Sequence, residues 1–263
     1  MPNEPHTTSI PSKLWRLVAL ARRRALFLDY DGTLAPLREE RALATPDPRV
    51  QNYLERLVAG GHTRVAIVSG RPVTELQRFL PDPGIALVGE HGWEARMPDG
   101  NIRRHPFDGG SSEWMRTVAF SSRLAPWHSR IELKRTAVAL HLRGLSPAAK
   151  HAACEAARGA WDPRDPTAFA LRGTDGGLEL RAIGHDKGSA VRELLSDMPE
   201  ETLAVFVGDD ETDEDAFEVV SERGFGVRVS REDRETRAAA QLSDVEAVAN
   251  FLAEWDRLGR GRT

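Results

Sequence analysis

The sequence predicts an α/β fold in which a Rossmann-like parallel sheet, covered by helices, is interrupted by a small inserted α+β unit. From Ala25 to about Pro106 short apolar strands alternate with helices, near Asp108 the rhythm becomes helix–strand–strand, and after Gly184 the strand–helix alternation resumes. Apolar strands alternating with helices argue for a parallel sheet buried on both faces. Repeated helix–strand–strand units argue for an antiparallel sheet with helices to one side.

Each element follows from its own stretch of chain. Residues 25–30, 64–68 and 85–89 are apolar runs of strand length, and 48–59 and 73–80 between them have helical spacing. The pattern turns over at Asp108-Gly109-Gly110. A helix over 111–124 then precedes strands at 130–134 and 136–143. A second helix, 147–159, and a proline-rich turn precede strands at 168–172 and 177–181. Beyond Gly184 come helix 187–195, strand 202–208, helix 213–223, strand 226–229 and a final helix 245–258, with a frayed tail over 259–263. The expected organisation is a core domain over 1–107 and 184–263, with a cap domain over 108–183 inserted into it.

Composition excludes several function classes. The 263 residues are 40% hydrophobic, enough for one large domain or two smaller ones. A net charge of −4 disfavours a general nucleic-acid or anionic-membrane binder, which would be basic. Cys154 is the single cysteine, so the chain forms no internal disulfide and no cysteine-based zinc site. No run approaches the roughly 20 apolar residues of a membrane span, and residues 1–24 lack the pattern of a secretory signal. Leu14 to Leu20, followed by Arg22-Arg23-Arg24, is expected as a leading helix packed on the core. The expectation is a soluble cytoplasmic monomer acting on a small molecule, with neither nucleic acid nor membrane as partner.

Four features sit where predicted strands end or helices start. Asp29-Tyr30-Asp31-Gly32-Thr33 puts two carboxylates on one side of an extended chain, just past a buried strand. Val68-Ser69-Gly70-Arg71 puts a hydroxyl and a glycine backbone after another strand, and Lys187 opens a helix after Gly184-His185-Asp186. The fourth is Gly208-Asp209-Asp210-Glu211-Thr212-Asp213-Glu214-Asp215, an acidic run in which Thr212 and Asp215 fit a capping box. Two carboxylates about 4 Å apart repel by roughly 4 kcal/mol at an effective dielectric of 20. An oxygen-only set of this kind suits Mg2+, while Ser69, backbone amides and Lys187 suit phosphate oxygens. Together they imply phosphoryl transfer: a carboxylate nucleophile, a second carboxylate as acid and base, and a cationic clamp.

The ordered set resembles the haloacid dehalogenase superfamily, whose phosphatases carry DxDGT, a Ser or Thr after the second strand, a Lys, and an acidic GDD motif. The resemblance implies Asp29 as nucleophile, Asp31 as acid and base, and Ser69 and Lys187 on the phosphoryl group. It implies Asp29, the Asp31 carbonyl and Asp209 as magnesium ligands, with Asp213 or Asp210 orienting the metal shell.

A narrower likeness runs from Ala25 to Leu258. Asp29-Tyr30-Asp31-Gly32-Thr33-Leu34, Val68-Ser69-Gly70-Arg71, Gly89-Glu90-His91-Gly92 and Gly208 to Phe217 resemble the trehalose-6-phosphate phosphatase family. So do Arg130-Ile131-Glu132-Leu133-Lys134, His141-Leu142-Arg143 and Leu178-Glu179-Leu180-Arg181 in the cap; Leu142 and Ala35 depart from the family pattern. Glu132 and Lys134 share a strand face, which fits either sugar hydroxyls or an ordinary cross-strand ion pair. The resemblance implies the former, with Glu132, Lys134 and Glu179 gripping a disaccharide, Arg143 beside them, and Gly70, Arg71, His91 and Gly92 near the cleft. It implies hydrolysis of trehalose 6-phosphate; a related sugar phosphatase and a silent sugar-phosphate sensor are the alternatives.

Overall fold

Arg24–Leu28 (β1) forms the middle of an eight-stranded sheet because every one of its residues is buried, so both faces must be covered. The computed structural model describes residues 10–80, 84–162, 165–174 and 176–260. β1 pairs in parallel with Thr63–Val68 (β2) on one side and Leu203–Gly208 (β10) on the other. Ile85–Gly89 (β3), Gly224–Val229 (β11) and Ala240–Leu242 (β12) continue the parallel ladder, giving the order β12-β11-β10-β1-β2-β3. Glu94–Arg96 (β4) and Ile102–Arg104 (β5) add an antiparallel edge.

Alternation along β1 divides the core. Leu26 and Leu28 face Ser12–Leu20 (α1), Pro48–Ala59 (α2), Val73–Phe79 (α3) and Val245–Arg260 (α8) through one apolar cluster. Ala25 and Phe27 face Lys187–Ser196 (α6) and Glu214–Ser221 (α7) through another. The leading helix packs as expected, with Leu14 and Val18 buried and Trp15 lying 5.1 Å from Phe251.

The second sheet is antiparallel, in the order Ile131–Leu133 (β6), Ala137–His141 (β7), Gly177–Ala182 (β9), Phe169–Thr174 (β8). Gly109–Ala119 (α4) and Pro147–Ala160 (α5) contribute to its own apolar cluster, which includes buried Trp161, Leu124 and Met115.

Several boundaries differ from expectation. β1 stops at Leu28, because Asp29 turns into a tight loop in which Leu34 and Ala35 amides both donate to the Tyr30 carbonyl. The helix expected over 111–124 ends at Ala119, and a 3-10 segment, Ser122–Arg130, follows with Pro126 inside it, where an α-helix loses a donor. β4, β5 and β12 are three residues each, too short to show periodicity. Of the expected frayed tail, Gly259 and Arg260 belong to α8 and 261–263 lie outside the described residues, as do 1–9 and 163–164 of the proline-rich turn.

Phe27 is fully buried beneath α6 and α7. Phe27→Ala is expected to cost about 3–5 kcal/mol of unfolding free energy in urea titration followed by circular dichroism. A cost below about 1 kcal/mol would mean that the central strand is not a principal contributor to stability.

Candidate active site

Parallel strands put all their C-terminal ends at one edge, where ligands of open α/β sheets bind. β1 delivers Asp29 there, β2 Ser69 to Arg71, β3 Glu90 and His91, and β10 Asp209. α6 begins against the same edge, with Lys187 as its first residue and Asp186 as its cap.

Lys187 organises the core side. Its Nζ donates to Asp29 Oδ1 at 2.7 Å and to Asp213 Oδ1 at 2.6 Å, and all three side chains are buried. Asp213 Oδ2 accepts the Asp210 amide at 2.9 Å, so both its oxygens are engaged. The capping box here is therefore Asp210 with Asp213, not Thr212 with Asp215, because a 3-10 turn, Glu211–Asp213, precedes α7. Asp209 lies against Gly32, where any side chain would collide with the carboxylate, and its Oδ1 is buried with no hydrogen-bond partner among the described residues.

One oxygen from each of Asp29, Asp209 and Asp213 lies within 4.8 Å of the others. Burial, with the neighbouring carboxylates adding to it, pushes Asp29 up to about 7 despite Lys187. Burial likewise raises Asp209 well above, and Asp213 above, the usual carboxylate range. Burial pulls Lys187 down, but Asp213 and Asp29 outweigh it and hold the ammonium above its ordinary value. Three carboxylates against one ammonium leave an excess of negative charge, and Asp209 Oδ1 is an orphaned acceptor. An oxygen-ligated divalent cation fits that donor set.

Asp31 does not share this cluster. Arg71 grips it with Nε on Oδ2 and Nη2 on Oδ1, both at 2.7 Å. Arg71 is itself 1% exposed, lies over the Tyr30 ring at 4.8 Å, and donates to the Arg41 carbonyl at 3.0 Å. Burial raises Asp31, but the Arg71 hydrogen bonds outweigh it and keep the carboxyl below its usual range. Ser69 is buried, and its Oγ accepts the Arg71 amide at 3.2 Å.

The second sheet closes over this edge. Glu132 pairs with Ala139 and Ala139 with Glu179, so the two carboxylates flank one small residue on the same face. Lys134 Nζ bridges Glu179 Oε1 at 2.8 Å and the Gly70 carbonyl at 2.9 Å, and Glu179 Oε2 lies 3.2 Å from His91 Nε2. These groups are buried, unlike an ordinary solvated Glu–Lys pair. Burial raises Glu179, yet Lys134 and His91 hold it well below its usual value. Burial depresses His91, with Glu179 opposing. Glu132 is shared between Arg41 and His141, the latter at 2.9 Å; these and Lys134 overcome burial and lower it to about 2.

Sequence reasoning missed three participants. Glu90 accepts from the Thr136 amide at 2.9 Å and its hydroxyl at 2.5 Å, joining the first sheet to the second. Glu90 and His91 both have left-handed backbone, φ 49° and 56°, a strained pair that sends one side chain to the second sheet and the other over Gly70. Arg41 and His141 hold Glu132, and no spacing signal marks Arg41. Glu90, inside Gly89-Glu90-His91-Gly92, stood next to a residue already singled out.

A cavity of about 120 Å³ runs between these walls, lined by Asp29, Asp31, Ser69, Lys187 and Asp209 at one end and by Lys134, Glu179, His141, Arg143 and Arg41 towards the other. Gly70, Arg71 and His91 also line it, whereas Glu132, Asp213 and Gly92 do not. A side chain at Gly92 would meet the Asp186 carbonyl and Ala190, so its role is close packing of α6.

The strand-end carboxylates, the lysine at the helix start and the inserted antiparallel sheet define a haloacid dehalogenase-type fold. A haloacid dehalogenase-like hydrolase from B. subtilis superposes with TM-score 0.60 at 14% identity, covering 88% of this chain and 99% of that one. The trehalose-phosphatase family model matches residues 27–247, and the chain belongs to that family. It is 32% identical over 92% of its length to trehalose-phosphate phosphatase of Mycobacterium tuberculosis (strain ATCC 25618 / H37Rv), and spans 62% of that protein, as it does of several mycobacterial relatives. The C-terminal domain of C. albicans trehalose-6-phosphate phosphatase superposes with TM-score 0.83 at 21% identity, covering 97% of this chain and 99% of that one.

Carboxylates with raised folded-state pKa bind more protons in the folded than in the unfolded chain, so the contribution of Asp29 and Asp209 to stability falls as pH rises above the ordinary carboxylate range, towards about 7 for Asp29. Asp209→Asn removes one of them. Without divalent cation, its stability relative to wild type is expected to improve as pH rises through that window; added Mg2+ should raise wild-type Tm and leave the variant unmoved. A constant difference across the window, or equal Mg2+ stabilisation of both, would refute the site.

Proposed function

We propose that the chain hydrolyses trehalose 6-phosphate to trehalose and inorganic phosphate through an aspartyl-phosphate on Asp29, with Mg2+ as cofactor. One observation carries the reading: a single cavity has a phosphate-suited end, Asp29, Ser69 and Lys187, and an end of mixed donors and acceptors, Lys134, Glu179, His141 and Arg143. Phosphoryl oxygens need cations and donors, whereas a sugar presents hydroxyls that both donate and accept.

In this reading the Asp29 carboxylate attacks phosphorus, and Asp31, which Arg71 keeps ionised in the unliganded site and which must take up a proton from water as substrate binds, gives that proton to the departing sugar oxygen. Asp31 then takes a proton from water, which attacks the aspartyl-phosphate and releases phosphate. Ser69 and Lys187 hold the phosphoryl oxygens, and Asp213 orients Lys187. Asp29, the Asp31 carbonyl and Asp209 would hold Mg2+, which would offset the negative charge gathering around the phosphoryl group. Lys134, Arg143 and Glu179 bind the sugar, with Glu132 behind them holding Arg41 and His141, and with Gly70, Arg71 and His91 shaping the cleft.

The domain division follows: a core over 1–107 and 184–263, and a cap over 108–183, supported by the separate apolar cluster of the second sheet. Small-molecule sites usually measure roughly 300–1,000 Å³, so the 120 Å³ cavity implies that the cap withdraws to admit a disaccharide. The same reading assigns the reaction to the cytoplasm and to a monomer. Among the described residues no helix is long and apolar enough to cross a membrane.

The test is phosphate release in Mg2+ from trehalose 6-phosphate beside sucrose 6-phosphate, glucose 6-phosphate and p-nitrophenyl phosphate. Trehalose 6-phosphate is expected to have the highest kcat/KM, and indifference across the panel would count against the sugar-binding cap. Asp29→Asn should lower turnover by at least about a thousandfold while the circular dichroism spectrum is retained. Near-wild-type release by that variant would rule out Asp29 as nucleophile.

A further inference from the structure

Arg41 belongs to no motif, yet it touches both halves of the cavity. It opens the short 3-10 turn Arg41–Leu43, between β1 and α2. Its Nη1 donates to Glu132 Oε2 on β6, and its Nη2 lies 3.8 Å from Glu75 Oε2 on α3. Its carbonyl accepts from Arg71 Nη2 at 3.0 Å, and Arg71 grips both oxygens of Asp31.

Residues 37–40, 42 and 43 are exposed, and the turn is held from the core side by buried Ala44, whose amide donates to the Arg41 carbonyl at 3.1 Å and whose carbonyl accepts the Tyr30 hydroxyl at 2.7 Å. The ion pair to Glu132 is the constraint that the second sheet adds to the Arg41 end of this turn. That carbonyl helps to orient a guanidinium whose other face is fixed against Tyr30 and Phe79.

We propose that Arg41 is a positioning residue that couples cap closure to the acid–base carboxylate. With the cap down, Glu132 fixes Arg41, the Arg41 carbonyl fixes Arg71, and Arg71 aims Asp31. With the cap withdrawn, the turn keeps only its core-side bonds through Ala44, and Asp31 loses part of its alignment. This rests on the trehalose 6-phosphate reading, since only a substrate long enough to engage the cap would gain from the coupling. A small aryl phosphate, held by Asp29, Ser69 and Lys187 alone, would not.

The experiment compares kcat and KM for trehalose 6-phosphate and p-nitrophenyl phosphate in wild type, Arg41→Ala, Arg41→Lys, Glu132→Gln and the Arg41→Ala/Glu132→Gln double variant. Arg41→Ala is expected to lower kcat on the disaccharide roughly ten- to hundredfold, as misplacement of a reacting group does. Its kcat on the aryl phosphate should stay within about threefold and its Tm within about 4 °C. Arg41→Lys should recover part of the loss, and the double variant should be no worse than the poorer single, because both interrupt one connection. Parallel losses on both substrates, a loss confined to KM, or additive losses in the double variant would overturn the coupling. A wild-type protein that turns over the aryl phosphate but not trehalose 6-phosphate would instead sink the substrate reading, and the Arg41 role with it.

Discussion

The buried contact of Lys187 with Asp29 and Asp213 is the constraint around which the rest of the site is arranged. An ammonium taken out of water costs several kcal/mol unless its partners are close and well directed, and here they stand at 2.7 and 2.6 Å. Meeting that requirement fixes three elements at once: the end of β1, the first residue of α6 and the turn before α7. The glycines follow from it. A side chain at Gly208 would fall on Asp213, and one at Gly32 on Asp209. The acidic set is therefore not a loose surface patch but a packed cluster, in which buried Asp209 Oδ1 has no hydrogen-bond partner among the described residues.

The second constraint is how an inserted sheet is held over a parallel one. Direct hydrogen bonds do so: Thr136 donates to Glu90, Lys134 to the Gly70 carbonyl and Arg41 to Glu132, and His91 pairs with Glu179. Arg135 adds bonds to the Trp93 and His105 carbonyls. Two of these are made by the Glu90–His91 turn, whose two left-handed residues cost of order 1–3 kcal/mol each. Strain at that point is consistent with a junction whose geometry serves the site rather than the sheet.

Much of the core was legible in the sequence because buried parallel strands are continuous apolar runs and their helices are long. β3 and α2 have the expected limits, and β2, β10 and α6 differ by one residue at an end. The three-residue strands β4, β5 and β12 were invisible because period-two alternation needs more residues than they have, whereas β6 lies inside the longer alternating stretch 130–134. Within the site, Asp29, Lys187 and Asp209 come together from separate strand and helix ends, as their motifs suggested. The partner of Asp31 was not legible. Nothing in Ser69-Gly70-Arg71 says that the arginine turns back onto the carboxylate rather than out into the cleft. Arg41 was invisible for a similar reason: a contact 91 residues away in sequence, made from an irregular turn, leaves no local pattern.

The closed arrangement also bears on selectivity. Glu179, which lines the cavity, is satisfied by Lys134 and His91. On the proposed reading, a sugar entering this cavity must exchange those bonds for its own hydroxyls, so any net gain depends on how completely it replaces them. A ligand lacking one hydroxyl leaves a buried charged group unpaired, at a cost of about 1–3 kcal/mol or more. Sites built to hydrogen-bond a hydroxyl reject analogues without it far more strongly than apolar pockets reject a missing methylene. A lining of charged pairs therefore disfavours ligands whose hydroxyls do not match, in addition to binding those that do. On the proposed reading, the phosphate end, Asp29, Ser69 and Lys187, meets only the phosphoryl group, so discrimination comes from the walls contributed by the second sheet.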